Sequence, residues 1–173
     1  IVCPPSESFR WNVHGYPHHL AKWHYHPEYE LHLILESSGR MMIGDYLGPF
    51  EAGCPILTGP NLPHKWGSDL RVGDRIRHRD MLVPFTPDFA RSLGQFAELS
   101  SVPHLLDDSL YGVEFRGRTR EQGIRLLKEI GSASGVRRLS LFLELMDALS
   151  RIRSDRRVLS HCAPEIGVHT AMS

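Results

Sequence analysis

One stretch near the N-terminus alternates between polar and apolar side chains. His24, His26 and Glu30 occupy even positions, whereas the leucines of segment 31–35 occupy odd ones. Because successive side chains of a β-strand point to opposite faces of a sheet, this alternation predicts a strand with two unlike faces. The polar face would line a pocket, and a second layer of the protein would cover the apolar face. The stretch therefore favours a layered β-fold with an internal polar site.

Short strand-like runs, separated by turn residues, fill the first half of the chain. The turns contain Gly, Pro, Asn, Asp and Ser, for example at 37–39 and 59–61. Several short strands at this spacing are typical of a jelly-roll sandwich or barrel, in which strands distant in sequence meet. His64, which follows the turn at 59–61, can then join the polar face that carries His24. The predicted strands are 29–36, 40–43, 54–58 and 79–85.

The second half of the chain changes to a helical pattern after residue 87. The sequence Thr-Arg-Glu-Gln at 119–122 matches a capping box, which would open a helix at about residue 119. The predicted helices are 87–100, 103–111, 119–132 and 136–153. In the last of these, apolar residues recur every three or four positions, and such a stripe must pack on the barrel, a neighbouring helix or a second subunit. We expect a dimer interface there, because the small barrel has limited surface to cover. The stripe consists of Leu139, Phe142, Leu143, Met146, Leu149 and Ile152.

The composition argues against several broad classes of protein. With 20 basic and 20 acidic residues among 173, the chain has no overall charge that would attract nucleic acid. Its cysteines, Cys3, Cys54 and Cys162, are odd in number and widely spaced, which argues against a disulfide framework or a zinc ribbon and suits a reducing cytoplasm. No apolar run reaches membrane-spanning length, and the N-terminus has no signal-peptide pattern. We therefore expect a cytoplasmic protein that makes no membrane contact, built as one domain with or without an appendage.

Histidine is concentrated where the predicted pocket lies, because seven of the eleven histidines fall within the first 64 residues. Four side chains are the candidate donors of one site: His24, His26, Glu30 and His64. This mixed nitrogen and oxygen set suits a divalent metal such as Zn, Ni, Mn or Fe. The same groups could instead hydrogen-bond an organic effector, or form a buried polar network that fixes the strand register. The residues alone leave these three alternatives open.

Further residues could complete a ligand pocket around these donors. His32 lies on the predicted polar face and could reach the pocket rim. Trp66 shares a face with His64 if the strand continues, and its ring could either stack on a sugar or pack in the core. Arg40 and Arg79 could clamp a carboxylate, although surface ion pairs are the ordinary expectation for such residues. A ligand-binding set of the four donors with His32, Arg40 and Trp66 is the resulting hypothesis.

An ordered set of motifs resembles the N-terminal, effector-binding domain of AraC/XylS-type transcription regulators. The matching segments are 23–31, 38–45, 50–53, 59–66 and 138–149, and together they cover roughly residues 10–160. The resemblance implies a mainly β fold with C-terminal helices. A cupin-type jelly-roll barrel would receive a small effector, often a sugar or another metabolite, and an α-helical hairpin would form a homodimer. The implied divisions are 1–86 for the barrel, 87–159 for the helical region and 160–173 for a tail.

Regulators of this type also carry a C-terminal region with two helix-turn-helix units that bind DNA. After Leu159 only 14 residues remain (173 minus 159), too few for a helix-turn-helix with its supporting helix. The chain would thus be the sensing and dimerising half, and it would reach DNA only through a region that is absent here. In such regulators an N-terminal arm can close over the ligand, which makes Arg10, Trp11 and His14 lid candidates.

The wider cupin superfamily holds metal on a first motif of His-x-His followed by Glu, and on a histidine of a second motif. The four candidate donors match this pattern by position, although the eight residues between Glu30 and Gly39 exceed the usual spacing. The match supports an alternative hypothesis, a metal-dependent cupin enzyme of isomerase or dioxygenase type. No separate acid–base pair accompanies the donors. The sensing module is therefore preferred, and no catalytic residue is assigned.

Overall fold

Two antiparallel β-sheets and a set of C-terminal helices make up the computed structural model, which describes residues 7–18, 21–162 and 164. The strands are β1 Asn12–Tyr16, β2 Tyr29–Ile34, β3 Gly39–Ile43, β4 Tyr46–Phe50, β5 Pro55–Thr58, β6 His64–Ser68, β7 Ile76–Phe85, β8 Val113–Phe115 and β9 Arg156–Val158. The helices are α1 Pro87–Leu93, α2 Val102–Ser109, α3 Gly117–Ser132 and α4 Gly135–Arg151, with short 3-10 turns at Ala97–Leu99 and Arg153–Asp155.

The strands form an open sandwich. The larger sheet has the order β1-β7-β2-β5-β8-β9, and the smaller sheet has the order β4-β3-β6. The expected mainly β fold with C-terminal helices is confirmed, but the sandwich is not closed into a barrel. Strands β8 and β9 belong to the 87–159 region, and they extend the larger sheet from β5. The helical region and the predicted barrel therefore share one sheet.

The alternation on β2 separates two apolar cores. Leu31 and Leu33 are buried in the larger core, which they share with residues of the helices, among them Phe142. Ile34, on the opposite face of β2, belongs to a smaller core together with Met41 of β3. This arrangement confirms the predicted covering of the leucine face. It also places the polar residues of β2 between the two sheets.

The apolar stripe of α4 lies largely inside this chain, which corrects the predicted dimer interface. Phe142, Met146 and Leu149 have no exposed surface, and Phe142 stacks on Phe9 with ring centroids 4.3 Å apart. Side chains already buried against their own sheet and helices have no surface left for a second subunit. The remaining members of the stripe are two half-buried residues and one that is 36% exposed: Leu139, Leu143 and Ile152.

The start of α3 differs from the predicted capping box. The helix begins at Gly117, and the Thr119 amide donates a hydrogen bond to Asp155 Oδ2 at 3.0 Å. A carboxylate distant in sequence thus caps the first turn, where the helix dipole favours negative charge.

The predicted helix 87–100 is interrupted in the structure, because α1 ends before Gly94 and only a 3-10 turn follows within this range. Within the described residues, no helix is long and apolar enough to span a membrane.

Candidate functional site

His24 and His26 lie in an irregular segment that precedes β2. The His64 amide donates to the His24 carbonyl at 2.9 Å, and the His24 amide donates to the His64 carbonyl at 3.3 Å. The Asn61 amide donates to the His26 carbonyl at 2.8 Å. Because β2 begins only after His26, the prediction that His24, His26 and Glu30 share one continuous strand is wrong. These residues converge because the segment before β2 is paired with the segment that leads into β6.

The side chains nevertheless meet as the spacing predicted. One ring nitrogen from each of His24, His26 and His64 lies within 4.8 Å of the other two, and we call these three residues the histidine cluster. Glu30 lies against the cluster, with Oε2 3.5 Å from His26 Nε2 and Oε1 3.8 Å from His64 Nε2. Two ligands of one transition-metal ion are at most about 4.2 Å apart, since each bond is roughly 2.1 Å long. The three histidines therefore need to move little to bind one ion, and Glu30 lies beside two of them.

Backbone carbonyls orient two of the three imidazoles. His24 Nδ1 lies 2.7 Å from the Lys22 carbonyl oxygen, and His64 Nδ1 lies 2.8 Å from the Leu62 carbonyl oxygen. A carbonyl only accepts hydrogen bonds, so each Nδ1 carries the proton and each Nε2 presents a lone pair. A histidine that binds metal through one nitrogen usually donates its other N–H to such a group. The cluster thus has the outer contacts of a metal site.

Several ring nitrogens of the cluster are buried without a hydrogen bond from the described part of the chain. They are both ring nitrogens of His26 and Nε2 of His64. Leaving a buried polar atom unsatisfied costs about 1–3 kcal/mol, and most such atoms in proteins have a partner. A cation near the two Nε2 atoms would supply a partner for both, whereas His26 Nδ1 faces Glu28 Oε2 at 3.4 Å. The donor set and its unsatisfied atoms therefore fit a divalent metal ion.

Burial and nearby charges oppose each other at these donors. Burial raises the pKa of Glu30, but its contacts with His26 and His32 outweigh this effect and hold the pKa well below its ordinary value. Burial lowers the pKa of His26, yet the carboxylates of Glu30 and Glu28 raise it above its usual value. Burial also lowers the pKa of His64, to about 4 despite the nearby Glu30. At neutral pH, Glu30 is thus an anionic donor and His64 a neutral one, as metal binding requires.

A cavity of about 30 Å³ adjoins the cluster. This volume holds a water molecule, whereas pockets for drug-sized organic ligands measure about 300–1,000 Å³. An organic effector of that size would need the cavity to widen. The cavity is lined by His14, His18, Ala21, His24, Glu30, His32, Trp66, Arg79, Asp80 and Leu82.

The residues predicted to flank the donors lie in different places. His32 and Trp66 are buried, with ring centroids 3.9 Å apart, and both line the cavity. Arg40 is exposed on the outward face of β3, because its neighbours Met41 and Gly39 are the buried residues of that strand. The structure therefore brings His32 and Trp66 to the site and leaves Arg40 outside it.

Arg79 is buried, which corrects the expected surface ion pair. Its side chain is 2% exposed, and its Nε and Nη2 donate to the two carboxylate oxygens of Asp80, each at 2.8 Å. Asp80 in turn lies 3.0 Å from His32 Nε2. Sequence reasoning missed Asp80, because adjacent charged residues are usually exposed on a strand. The only available signal was their position directly before the apolar run 81–85.

The N-terminal segment spans both the cavity and the helices. Among the three lid candidates, His14 lines the cavity, and its ring stacks on His18 at 4.5 Å. Trp11 packs elsewhere: its Nε1 donates to the Leu127 carbonyl on α3 at 2.9 Å. Arg10 is half-buried and does not line this cavity. The segment thus connects the candidate site with the helical layer.

No protein-family model and no curated protein matches the chain. Among solved structures, the fold is similar to the N-terminal portion of ToxT from Vibrio cholerae, a regulator of the AraC family. ToxT of strain O395, bound to (E)-4-(8-methylnaphthalen-1-yl)but-3-enoic acid, gives a TM-score of 0.50 at 16% identity and covers 79% of this chain and 54% of ToxT. The apo form of a ToxT variant of strain SCE256 gives a TM-score of 0.51 at 13% identity. This match covers 82% of this chain and 54% of the ToxT chain. The chain spans about half the length of ToxT, and the likeness shows a common fold.

Proposed function

We propose that this chain is the effector-sensing module of an AraC-type transcription regulator, and that its ligand site contains a divalent metal ion. The convergence of the histidine cluster with Glu30, inside a fold shared with part of an AraC-family regulator, carries this proposal. Zn, Ni, Mn and Fe all accept three imidazoles and a carboxylate. When bound, the ion would supply positive charge and open coordination positions facing the small cavity.

A small anionic effector is the ligand class that suits this site best. ToxT was solved with a carboxylic acid. A carboxylate oxygen is also a good ligand for an open coordination position of a hard or borderline metal. Because the cavity has room for about one water molecule, an effector would enter only after the segment with His14 and His18 moves. We therefore propose that effector binding and a change of this segment are coupled.

Such coupling would explain a regulatory role. Trp11 ties the same segment to α3, and Phe9 stacks on Phe142 of α4. An effector with different affinities for two arrangements of the segment would shift the population between them, and with it the helical layer. In a regulator, this shift would alter how a DNA-binding region that follows in the full-length protein is presented. A homodimer would use surfaces other than the buried part of the α4 stripe.

A metal-dependent enzyme is the second candidate function. Three histidines and one carboxylate beside a cavity for water also suit catalysis, in which the metal activates a bound water or substrate. The two functions differ in turnover. Saturable thermal stabilisation by small carboxylic acids or sugars, without product formation, would support the sensor. Metal-dependent product formation would support the enzyme.

The metal content of the purified protein tests the shared part of both proposals. We expect about one ion per chain by elemental analysis of protein purified without chelator, and none in a His26→Ala/Glu30→Ala double variant. His104→Ala is the matched control, because this histidine is exposed on α2. It should retain the ion. No metal in the wild-type protein, after incubation with each of the four candidate ions, would refute the metal site and leave the donors as effector contacts or a structural network.

A further inference from the structure

A group of buried charged residues contacts Glu30 in addition to the histidine cluster. His32 stands between two carboxylates, with Nδ1 3.4 Å from Glu30 Oε1 and Nε2 3.0 Å from Asp80 Oδ1. Asp80 is bound by Arg79 through two hydrogen bonds, each 2.8 Å long. We call His32, Asp80 and Arg79 the inner network. All three side chains are at most 6% exposed, so water does not screen their charges.

The acceptors around His32 determine its protons. Asp80 is ionised because it faces the guanidinium of Arg79, and an ionised carboxylate only accepts hydrogen bonds. His32 Nε2 therefore donates to Asp80, and its Nδ1 is the ring nitrogen that faces Glu30 Oε1. Carboxylates and nitrogen groups thus alternate from Glu30 through His32 and Asp80 to Arg79. Such alternation makes the burial of four charged groups tolerable.

The inner network also joins the two sheets at the candidate site. Arg79 Nη1 donates to the Trp66 carbonyl and to Ser68 Oγ, each at 3.1 Å, and both acceptors lie on β6. Strand β6 also carries His64, whereas Glu30 and His32 lie on β2. The network therefore fixes the strand that holds one donor relative to the strand that holds another. A purely local contact to Glu30 would not do this.

We propose that the inner network positions Glu30 so that it binds the metal through Oε2 alone. Oε1 of Glu30 lies nearer to His32 Nδ1, at 3.4 Å, than to His64 Nε2, at 3.8 Å, whereas Oε2 faces His26 Nε2 at 3.5 Å. Single-oxygen binding would keep the coordination number low and would leave a position open for an effector. The inference rests on the proposed metal site and names residues that act through Glu30 without touching the ion. Residues of this kind typically change metal affinity by about 10–100-fold when they are replaced.

Cobalt(II) provides the test, because its visible absorption weakens as its coordination number rises. In His32→Phe, the ring that packs on Trp66 is kept and both N–H groups are lost. We expect cobalt affinity, measured by titration, to fall about 10–100-fold and the visible absorption to weaken as Glu30 binds through both oxygens. His32→Gln, which can still donate to Glu30, should restore part of the affinity and of the absorption. Asp80→Asn, which weakens the support of His32, should change both in the same direction as His32→Phe.

A partly buried ion pair outside the candidate site supplies the control. Arg156 Nη1 donates to Asp108 Oδ2 at 2.9 Å, and neither residue lines the cavity beside the histidine cluster. Asp108→Asn should lower the melting temperature but leave cobalt affinity and spectrum unchanged. Folded His32→Phe and Asp80→Asn variants with wild-type affinity and spectrum would overturn this inference alone. Absence of cobalt binding by the wild-type protein would overturn the metal proposal and this inference together.

Discussion

Truncation of Phe142 on α4 distinguishes an intrachain core from a dimer interface. This side chain has no exposed surface, and its ring centroid lies 4.3, 5.2 and 5.4 Å from those of Phe9, Phe85 and Phe89. Replacing a buried phenylalanine by alanine costs about 3–5 kcal/mol, and loss of the aromatic pairs favours the upper part of that range. At about 2–4 °C per kcal/mol for a chain of this size, a loss of about 4–5 kcal/mol should make Phe142→Ala melt roughly 8–20 °C below wild type.

Urea denaturation followed by circular dichroism, at two protein concentrations tenfold apart, measures this effect. The midpoint should be independent of concentration, because the lost contacts lie within one chain. Val136→Ala on the same helix is the control; this residue is 81% exposed, and its replacement should change stability by about 0.5 kcal/mol or less. A loss below about 1 kcal/mol for Phe142→Ala, or a midpoint that rises with protein concentration, would show that the α4 face contacts a second subunit.

Three further predictions concern other groups. In metal-free protein, the folded pKa of His64 (about 4) lies below its unfolded value, so the stability it contributes is present above pH 6.5 and is lost as pH falls towards 4. Wild type should therefore lose about 2 kcal/mol more than His64→Gln between pH 7 and pH 5 in urea titrations, and equal losses would contradict this. Burial and Glu114 raise the pKa of Cys54 to about 12, so its alkylation at pH 8 should be about 100-fold slower than in urea, as peptide mass spectrometry can measure. Asp45 accepts hydrogen bonds from Ser160 Oγ and the His161 amide, so Asp45→Ala should speed exchange of that amide, and unchanged exchange would exclude this anchoring role.

Local sequence patterns predicted the parts of the fold that depend on neighbouring residues. The alternation along β2 was sufficient to place Leu31 and Leu33 in a core and Glu30 and His32 on a polar face, because a strand has a fixed period of two. Strand β4 was not predicted, because Gly48 and Pro49 are residues typical of turns. Pro49 is tolerated there because β4 lies at the edge of the smaller sheet, where a missing amide donor removes no ladder bond.

Long-range partners could not be read from the sequence. The period of α4 shows that one face of the helix is buried, but it is the same whether a sheet or a second subunit covers that face. Convergence of His24 and His26 with His64 was expected from a barrel, whereas it arises from backbone pairing of an irregular segment with the start of β6. Asp80 became recognisable only once the fold placed it between His32 and Arg79. Burial of a charge depends on such distant partners.

X-ray absorption spectroscopy of the metal-loaded protein tests the proposed metal site, because it counts the ligands of the bound ion. We expect three imidazole nitrogens and at least one carboxylate oxygen at about 2.0–2.2 Å from a zinc ion. The His26→Ala/Glu30→Ala double variant, loaded in the same way, should lose this signature. A zinc ion bound by fewer than two imidazoles, or a spectrum unchanged by the double substitution, would show that the histidine cluster is not the metal site.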